Sequence, residues 1–192
     1  MTMKKALFIA LFALILAGCG QTGTDTQNTP ATPQVMNPNA PVLVEEFSDL
    51  QCPACGQVSP QATELARKIP DKMKLAFYHF PLSYHEFAFI AAQAAECAGD
   101  QGKFWEFTDT VYKTQNSLSE DHLYNVAKQL GLDETAFKTC VDSGSKKAIV
   151  QADQLEGQKR QIPGTPTFFV NGQMVQWSGA DTFEKYVTSL AK

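Results

Sequence analysis

The chain has 192 residues with 44% apolar content, enough for one ordinary globular domain, and its composition excludes collagen, coiled coil and wholesale disorder. Its formal charge is -4, and without Lys4 and Lys5 of the leader 14 basic residues face 20 acidic ones. A polyanion is repelled on average by such a surface, so nucleic acid is excluded as an expected partner.

Residues 1–18 have the layout of a secretory signal peptide: Lys4 and Lys5, an apolar run from Ala6 to Ala17 too short to span a bilayer, then small residues before a cysteine. Leu16-Ala17-Gly18-Cys19 resembles the lipobox of bacterial lipoproteins, which implies cleavage before Cys19, lipidation of Cys19 and membrane anchoring of an exported chain. By the same resemblance, Gly20 rather than Asp after that cysteine favours the outer membrane of a cell that has one. Five cysteines less Cys19 leave four, an even number in a compartment where disulfides form and persist, so two pairs are the natural accounting. Residues 20–40 hold almost only Gly, Thr, Gln, Asn, Pro, Ala and Asp, too few apolar groups to repay ordering, and residues 19–40 are read as a flexible tether. Folded structure is expected from near Pro41.

Val42 to Phe47 is a short β-prone run leading into Cys52-Pro53-Ala54-Cys55 and a helical stretch to about Ile69. Pro53 suits a first helical turn, where a missing N–H costs nothing, and Pro60 predicts a kink or break. Lys74 to His79 reads as the next strand. From Ser83 to about Arg160 the period turns helical, with Phe87, Ala91, Ala94 and Cys97 on one stripe and Leu123, Val126, Ala127 and Leu130 on another. Ser117 and Glu120 have capping-box spacing, Gly131 follows a helix end, Asp133 opens the next helix and Gly144 ends it. Thr167–Val170, the Asn171-Gly172 turn and Met174–Trp177 predict a hairpin, after which Asp181 caps a last helix ending near Leu190.

A C-x-x-C pair at a helix start has a chemical use, because the free N–H groups and dipole of the helix stabilise a thiolate on the first sulfur. Cys52 is therefore the candidate nucleophile, and Cys55, one turn on and more protected, is the resolving thiol. Taken alone, the motif equally fits half a zinc site, a structural disulfide or coincidence. A zinc site needs two more ligands, and Cys97 and Cys140 sit singly on apolar stripes without paired metal-ligand spacing. His79, His85 and His122 share no metal spacing either and read as packing or surface residues, as Phe104, Trp105 and Phe107 read as a core face. No metal and no cofactor are expected.

Gly164-Thr165-Pro166-Thr167-Phe168-Phe169-Val170-Asn171-Gly172, together with the Cys-Pro-Ala-Cys motif, resembles the cis-proline strand and active site of the DsbA-like branch of the thioredoxin superfamily. Phe80-Pro81-Leu82 with His85, Ala94-Ala95-Glu96-Cys97-Ala98 and Gly102-Lys103-Phe104-Trp105 extend the resemblance over about residues 41–191. It implies an α/β thioredoxin fold, with βαβ and ββα units and an inserted α-helical domain at about 83–160, an order that the chain's own punctuation reproduces. It further implies Cys52 as attacking sulfur, Cys55 as its partner, and a cis bond between Thr165 and Pro166 beside which an unfolded substrate pairs by strand addition to Thr165.

Glu46 stands six residues before Cys52, where a buried acid occurs in this family and exchanges a proton with the resolving cysteine; composition alone leaves Glu46 facing solvent, with Glu45 its exposed neighbour. A structural disulfide between Cys97 and Cys140 is found in some members of the family, while the residues themselves also allow two buried free thiols. Such a closure of about 44 residues is worth about 4 kcal/mol.

The resemblance implies a thiol-disulfide oxidoreductase of the cell envelope, acting on unfolded or reduced exported proteins and recycled by a membrane redox partner. The family's more familiar Pro-His dipeptide is replaced by Pro53-Ala54, which removes a donor near Cys52 and points to a less oxidising couple. With only a tether before the domain, a two-armed isomerase is not expected, and a monomeric oxidase leads. A lipid-anchored reductase and a non-catalytic binder of unfolded partners are the alternatives.

Overall fold

The computed structural model describes residues 30–191, so the leader, Cys19 and the first part of the tether lie outside the described residues. Within them the chain runs β1 (Gln34–Met36), β2 (Val42–Ser48), α1 (Pro53–Lys68), β3 (Met73–His79), α2 (Ala88–Gly99), α3 (Phe104–Lys113) and a 3-10 turn (Gln115–Ser117). It continues with α4 (Glu120–Gln129), α5 (Glu134–Asp142), α6 (Lys147–Lys159), β4 (Thr167–Val170), β5 (Gln173–Val175) and α7 (Ala180–Leu190).

Among the described residues the strands form one sheet in the order β1-β3-β2-β4-β5. The β2–β3 pair is parallel, joined by α1, and β4–β5 is an antiparallel hairpin followed by α7. These are the βαβ and ββα halves of a thioredoxin fold, with α2 to α6 inserted between them. Because side chains alternate along a strand, Val42 and Val44 of β2 meet Ala62, Leu65 and Ala66 of α1, while Phe47 packs with Ala76, Tyr78 and Phe169 on the opposite face. Glu46 and Ser48 thereby share the face that looks at α1.

The insertion has its own core around Phe107, Leu123 and Phe137, and that core includes Leu50, Cys52 and Cys55. The cysteine motif thus lies where the two halves of the molecule meet. A disulfide joins Cys97 of α2 to Cys140 of α5.

Several expectations need correction. Order begins before Pro41: β1 pairs antiparallel with β3, Gln34 Nε2 donates to Glu96 at 2.7 Å, and Asn37 Nδ2 donates to the carbonyls of Ala66 and Met73. This strand is held by edge pairing and amide side chains rather than by its own apolar face, so its composition reads as tether. Helix α1 does not break at Pro60. The lost N–H and ring clash cost about 3 kcal/mol, which is offset by burial of Ala62, Leu65 and Ala66 beyond it.

Helix α4 is capped by Ser119, whose Oγ accepts from the His122 N–H at 3.2 Å, because Ser117 is consumed by the 3-10 turn. Helix α7 is preceded by Gly179 at φ 91°, with Asp181 inside its first turn rather than at its cap. Strand β5 stops at Val175, and Trp177 instead turns in against Phe168 and Phe183, with ring centroids 5.2 and 4.6 Å away.

Candidate active site

The turn after β2 is fixed by its own acid. Asp49 is buried; its carbonyl accepts from the Cys52 N–H at 3.1 Å, and its Oδ1 accepts from the Gln51 N–H at 2.7 Å. Asp49 Oδ2 takes the Leu82 N–H and pairs with His85 Nδ1, both at 2.8 Å, so the chain after β3 is pinned to the cysteine turn. From the insertion, Gln115 Nε2 donates to the carbonyls of Leu50 and Cys52 at 2.9 and 3.0 Å. Gly56 makes that clasp possible, since a Cβ there would lie 2.7 Å from Gln115 Oε1.

Cys52 occupies the position just before α1, which opens with Pro53, and both cysteines are reduced. Pro53 and Ala54 are exposed, Cys52 retains 7% of its surface and Cys55 none. The Thr165–Pro166 bond is cis, and Cys52 Sγ lies 3.5 Å from the Thr165 carbonyl oxygen. Beside it a groove of about 540 Å³ is lined by Pro163, Pro166, Met174 and Trp177 among others.

The two thiols are made unequal. The Cys55 thiol, donating to its neighbour, is the largest cause lowering the Cys52 pKa to about 5; burial opposes it, and the N–H groups of Cys55 and Ala54 assist. The helix-start amides expected from the motif therefore contribute, but the partner thiol leads. Burial and the adjacent Cys52 anion push Cys55 far up. Such a pair loses its first proton from Cys52.

Glu46 is wholly buried, and desolvation raises its pKa to about 7, countered by hydrogen bonds from Ser59 and Ser48. Its Oε1 accepts from Ser59 Oγ, while its Oε2 has no partner among the described residues. Glu45 is also buried rather than exposed: it faces the other side of β2, where Arg160 Nη2 meets its carboxylate at 2.9 Å. Arg160 in turn lies over the rings of Phe47, Tyr78 and Phe169, so this ion pair fastens α6 to the sheet. His79 is buried against Glu96 at 3.0 Å, and His122 bonds Thr114 at 2.7 Å. Phe104 and Phe107 are core, with Trp105 partly buried between the two cores.

The structure thus brings Glu46, Cys52, Pro53, Ala54, Cys55, Thr165 and Pro166 together and leaves Cys97 and Cys140 elsewhere, in the insertion. Ser48, Asp49, Ser59, Tyr112 and Gln115 were not singled out from sequence. For Ser48 and Ser59 a signal was present: Ser48 is two residues from Glu46 on a strand, and Ser59 four from Cys55 on a helix, each spacing placing the pair on one face. Gln115 had none, since its partners are backbone carbonyls of a distant segment. Among the described residues no group of three His, Cys, Asp or Glu side chains is placed to hold a metal ion, and no helix is long and apolar enough to cross a membrane.

A reduced C-x-x-C pair at a helix start, facing a cis-proline strand on a sheet with an inserted helical domain, defines a thioredoxin fold of the DsbA-like kind. Residues 28–189 match the family model described as Thioredoxin, and the chain belongs to that family. It is 39% identical over 136 residues to the Na(+)/H(+) antiporter NhaA 1 of Salinispora arenicola, covering 70% of this chain and 21% of that protein. The chain spans about a fifth of the length of the curated relatives it matches. It is similar to a thioredoxin-like oxidoreductase from Silicibacter pomeroyi, with TM-score 0.70, 25% identity, and coverage of 82% of this chain and 91% of that one. It also shares its fold with the thiol-disulfide exchange protein alpha-DsbA2 from Wolbachia pipientis, with TM-score 0.73, 20% identity, and coverage of 82% and 87%.

Proposed function

We propose that this protein is an extracytoplasmic thiol-disulfide oxidoreductase that introduces disulfides into exported proteins through the Cys52–Cys55 couple. The observation that carries the reading is the inequality of the two thiols, one acidic beside an exposed Pro53-Ala54 turn and the other buried and held protonated. A substrate thiolate attacks Cys52 of the oxidised pair, and Cys55 leaves. A second substrate thiol then attacks the mixed disulfide, and Cys52 departs as a stable anion. Thr165 offers its backbone to an extended chain, and the groove beyond Pro166 takes an apolar side chain of the unfolded substrate. Cys19 carries the lipid that holds the domain at the membrane of the cell envelope, where a membrane redox partner reoxidises the pair, and the domain works as a monomer.

The low Cys52 pKa supports the oxidising direction. An anion stabilised in the reduced form makes a couple more oxidising, and a Cys52 pKa of about 5 lies between about 7 for thioredoxin and about 3.5 for DsbA. The reduction potential is expected between about -270 and about -120 mV. A lipid-anchored reductase is the second reading, favoured by Pro53-Ala54, which offers Cys52 no side-chain donor. A value near or below the lower limit selects the reductase.

Reoxidation of a reduced, unfolded test protein by the purified chain, lost in Cys52→Ser, is the direct test. Equal rates for the two proteins reduce the chain to a non-catalytic binder of unfolded partners.

A further inference from the structure

The loop of residues 161–166 carries Thr165 from the end of α6 to the start of β4. The register of β4 with β2 begins at Thr167, opposite Phe47, so Thr165 stands two residues outside the ladder that fixes this strand. Its carbonyl oxygen nevertheless lies 3.5 Å from Cys52 Sγ. The place of the loop is therefore set in large part from its α6 side.

Arg160 caps the C-terminus of α6 and is the residue before the loop. Its Nη2 meets Glu45 of β2 at 2.9 Å and its Nε meets Glu156 of α6 at 2.7 Å. The guanidinium carbon lies 5.1, 5.4 and 5.7 Å from the ring centroids of Phe169, Phe47 and Tyr78, within the reach of cation–π attraction. Glu45 and Phe169 face each other directly across β2 and β4 and so share one side of the sheet. One planar cation thus grips a cross-strand pair whose second member comes three residues after Pro166, and the two ends of the loop are joined through a side chain. Ile162 adds to the hold: it packs against the cluster of Phe47, Ala76, Tyr78 and Phe169, and its N–H donates to the Gly157 carbonyl at 3.1 Å. Gly157 leaves room for this, since a Cβ there would lie 2.6 Å from the Phe80 ring and 3.2 Å from Ile162.

We propose that Glu45 and Arg160 form a clasp that positions the loop carrying Thr165 for an incoming polypeptide, and so set how well the protein takes unfolded chains as opposed to small thiols. This rests on the reading above, in which an extended substrate pairs with the Thr165 backbone.

A polypeptide substrate has two requirements at once: its sulfur must reach Cys52 while its backbone finds a partner at Thr165. A shift of the loop spoils the second, and misplacement by about 1 Å costs up to about a hundredfold in such a paired geometry. A small dithiol needs only the sulfur and is indifferent to the loop. Arginine suits the clasp because its flat guanidinium stacks on rings while its N–H fork serves two carboxylates, which an ammonium cannot do together. Glu45 and Arg160 touch neither sulfur, so they act as positioning residues.

The test mixes the oxidised full chain with a reduced, unfolded test protein at rising concentration and, separately, with a small dithiol. Arg160→Ala should raise the half-saturating concentration of the test protein about tenfold while the limiting rate, the small-dithiol rate and the Cys52 titration keep their wild-type values. That variant leaves the buried Glu45 carboxylate unpaired, which destabilises the fold. The double variant Glu45→Gln/Arg160→Ala leaves no orphan charge, and the same rise is expected of it. Amide exchange at Ile162 should quicken in both, reporting the loosened loop without any substrate. A double variant with wild-type half-saturation, or with its Ile162 amide as protected as before, overturns the clasp. So does a small-dithiol rate that falls in step with the affinity for the test protein. Disulfide exchange through Cys52 stands in each of these cases, whereas absence of any exchange by the wild type overturns the proposed function together with the clasp.

Discussion

At the residue scale, the site works by setting groups against their ordinary protonation. Cys52 has its pKa lowered from 9.0 to about 5, chiefly by the Cys55 thiol. A depressed folded-state pKa contributes stability above the unfolded value and loses it as pH falls through the folded one. The reduced protein should therefore gain thermal stability relative to its disulfide form as pH rises from 5 towards 9, a window given by the two pKa values. Equal melting-point differences at both ends contradict this. Glu46 has the opposite sign: its pKa is raised from 4.5 to about 7 by burial, so its stabilising share is complete below 4.5 and gone above 7. Glu46→Gln removes that penalty and should stabilise the protein by roughly 3 kcal/mol at alkaline pH, with no such gain at pH 4. Denaturant unfolding at the two pH values reads the difference, and an equal effect at both would contradict it.

At the element scale, the start of α1 is held from three directions: by Asp49 from its own turn, by His85 and Leu82 from the chain after β3, and by Gln115 from the insertion. Gly56→Ala should displace Gln115 through the 2.7 Å approach of the new Cβ. The loss of its two hydrogen bonds should cost about 1–2 kcal/mol, and Gln115→Ala added on top should cost little more. A double-mutant cycle by denaturant unfolding measures this; additive losses would show that the clasp does not depend on Gly56.

The elements themselves were mostly legible in the sequence. Strand β2, helix α1, the hairpin turn at Asn171 and Gly172 and the helices of the insertion all follow from period and punctuation, because each buries a continuous apolar face. Strand β1 was illegible, since Gln34 and Asn37 hold it through amide hydrogen bonds to residues far along the chain. The Glu45–Arg160 pair was hidden for the same reason: the sequence shows two adjacent glutamates, and only the sheet decides which face each one meets. Of the site, the cysteines, Glu46 and the Thr165-Pro166 segment were legible as motif. The groups that tune them were not, because hydroxyls and amides acquire meaning only from what they touch.

At the scale of the whole molecule, the insertion is more than a lid on a thioredoxin core. Its own core includes Leu50 and Cys55, and it supplies Tyr112 to Ser48 of β2 and Gln115 to the cysteine turn. The Cys97–Cys140 disulfide ties α2 to α5 within that insertion, across 43 residues. Replacing both cysteines by alanine should lower stability by about 4 kcal/mol through the freed loop, while leaving Cys52 with its low pKa, since neither sulfur touches the reactive pair. Unfolding followed by circular dichroism measures the first effect and thiol titration the second; a variant as stable as the parent, or one whose Cys52 titrates as a free thiol, would contradict this division of labour.

On this reading the fold holds Cys52 as an anion and Cys55 as a thiol. Thiolate absorbance of the reduced, full-length protein as a function of pH, compared with Cys52→Ser, measures this directly. A single thiolate on residue 52, half-formed near pH 5, is expected, with residue 55 silent through neutrality. A Cys52 that titrates at the free-cysteine value of about 8.5, or a Cys55 that ionises first, would contradict it.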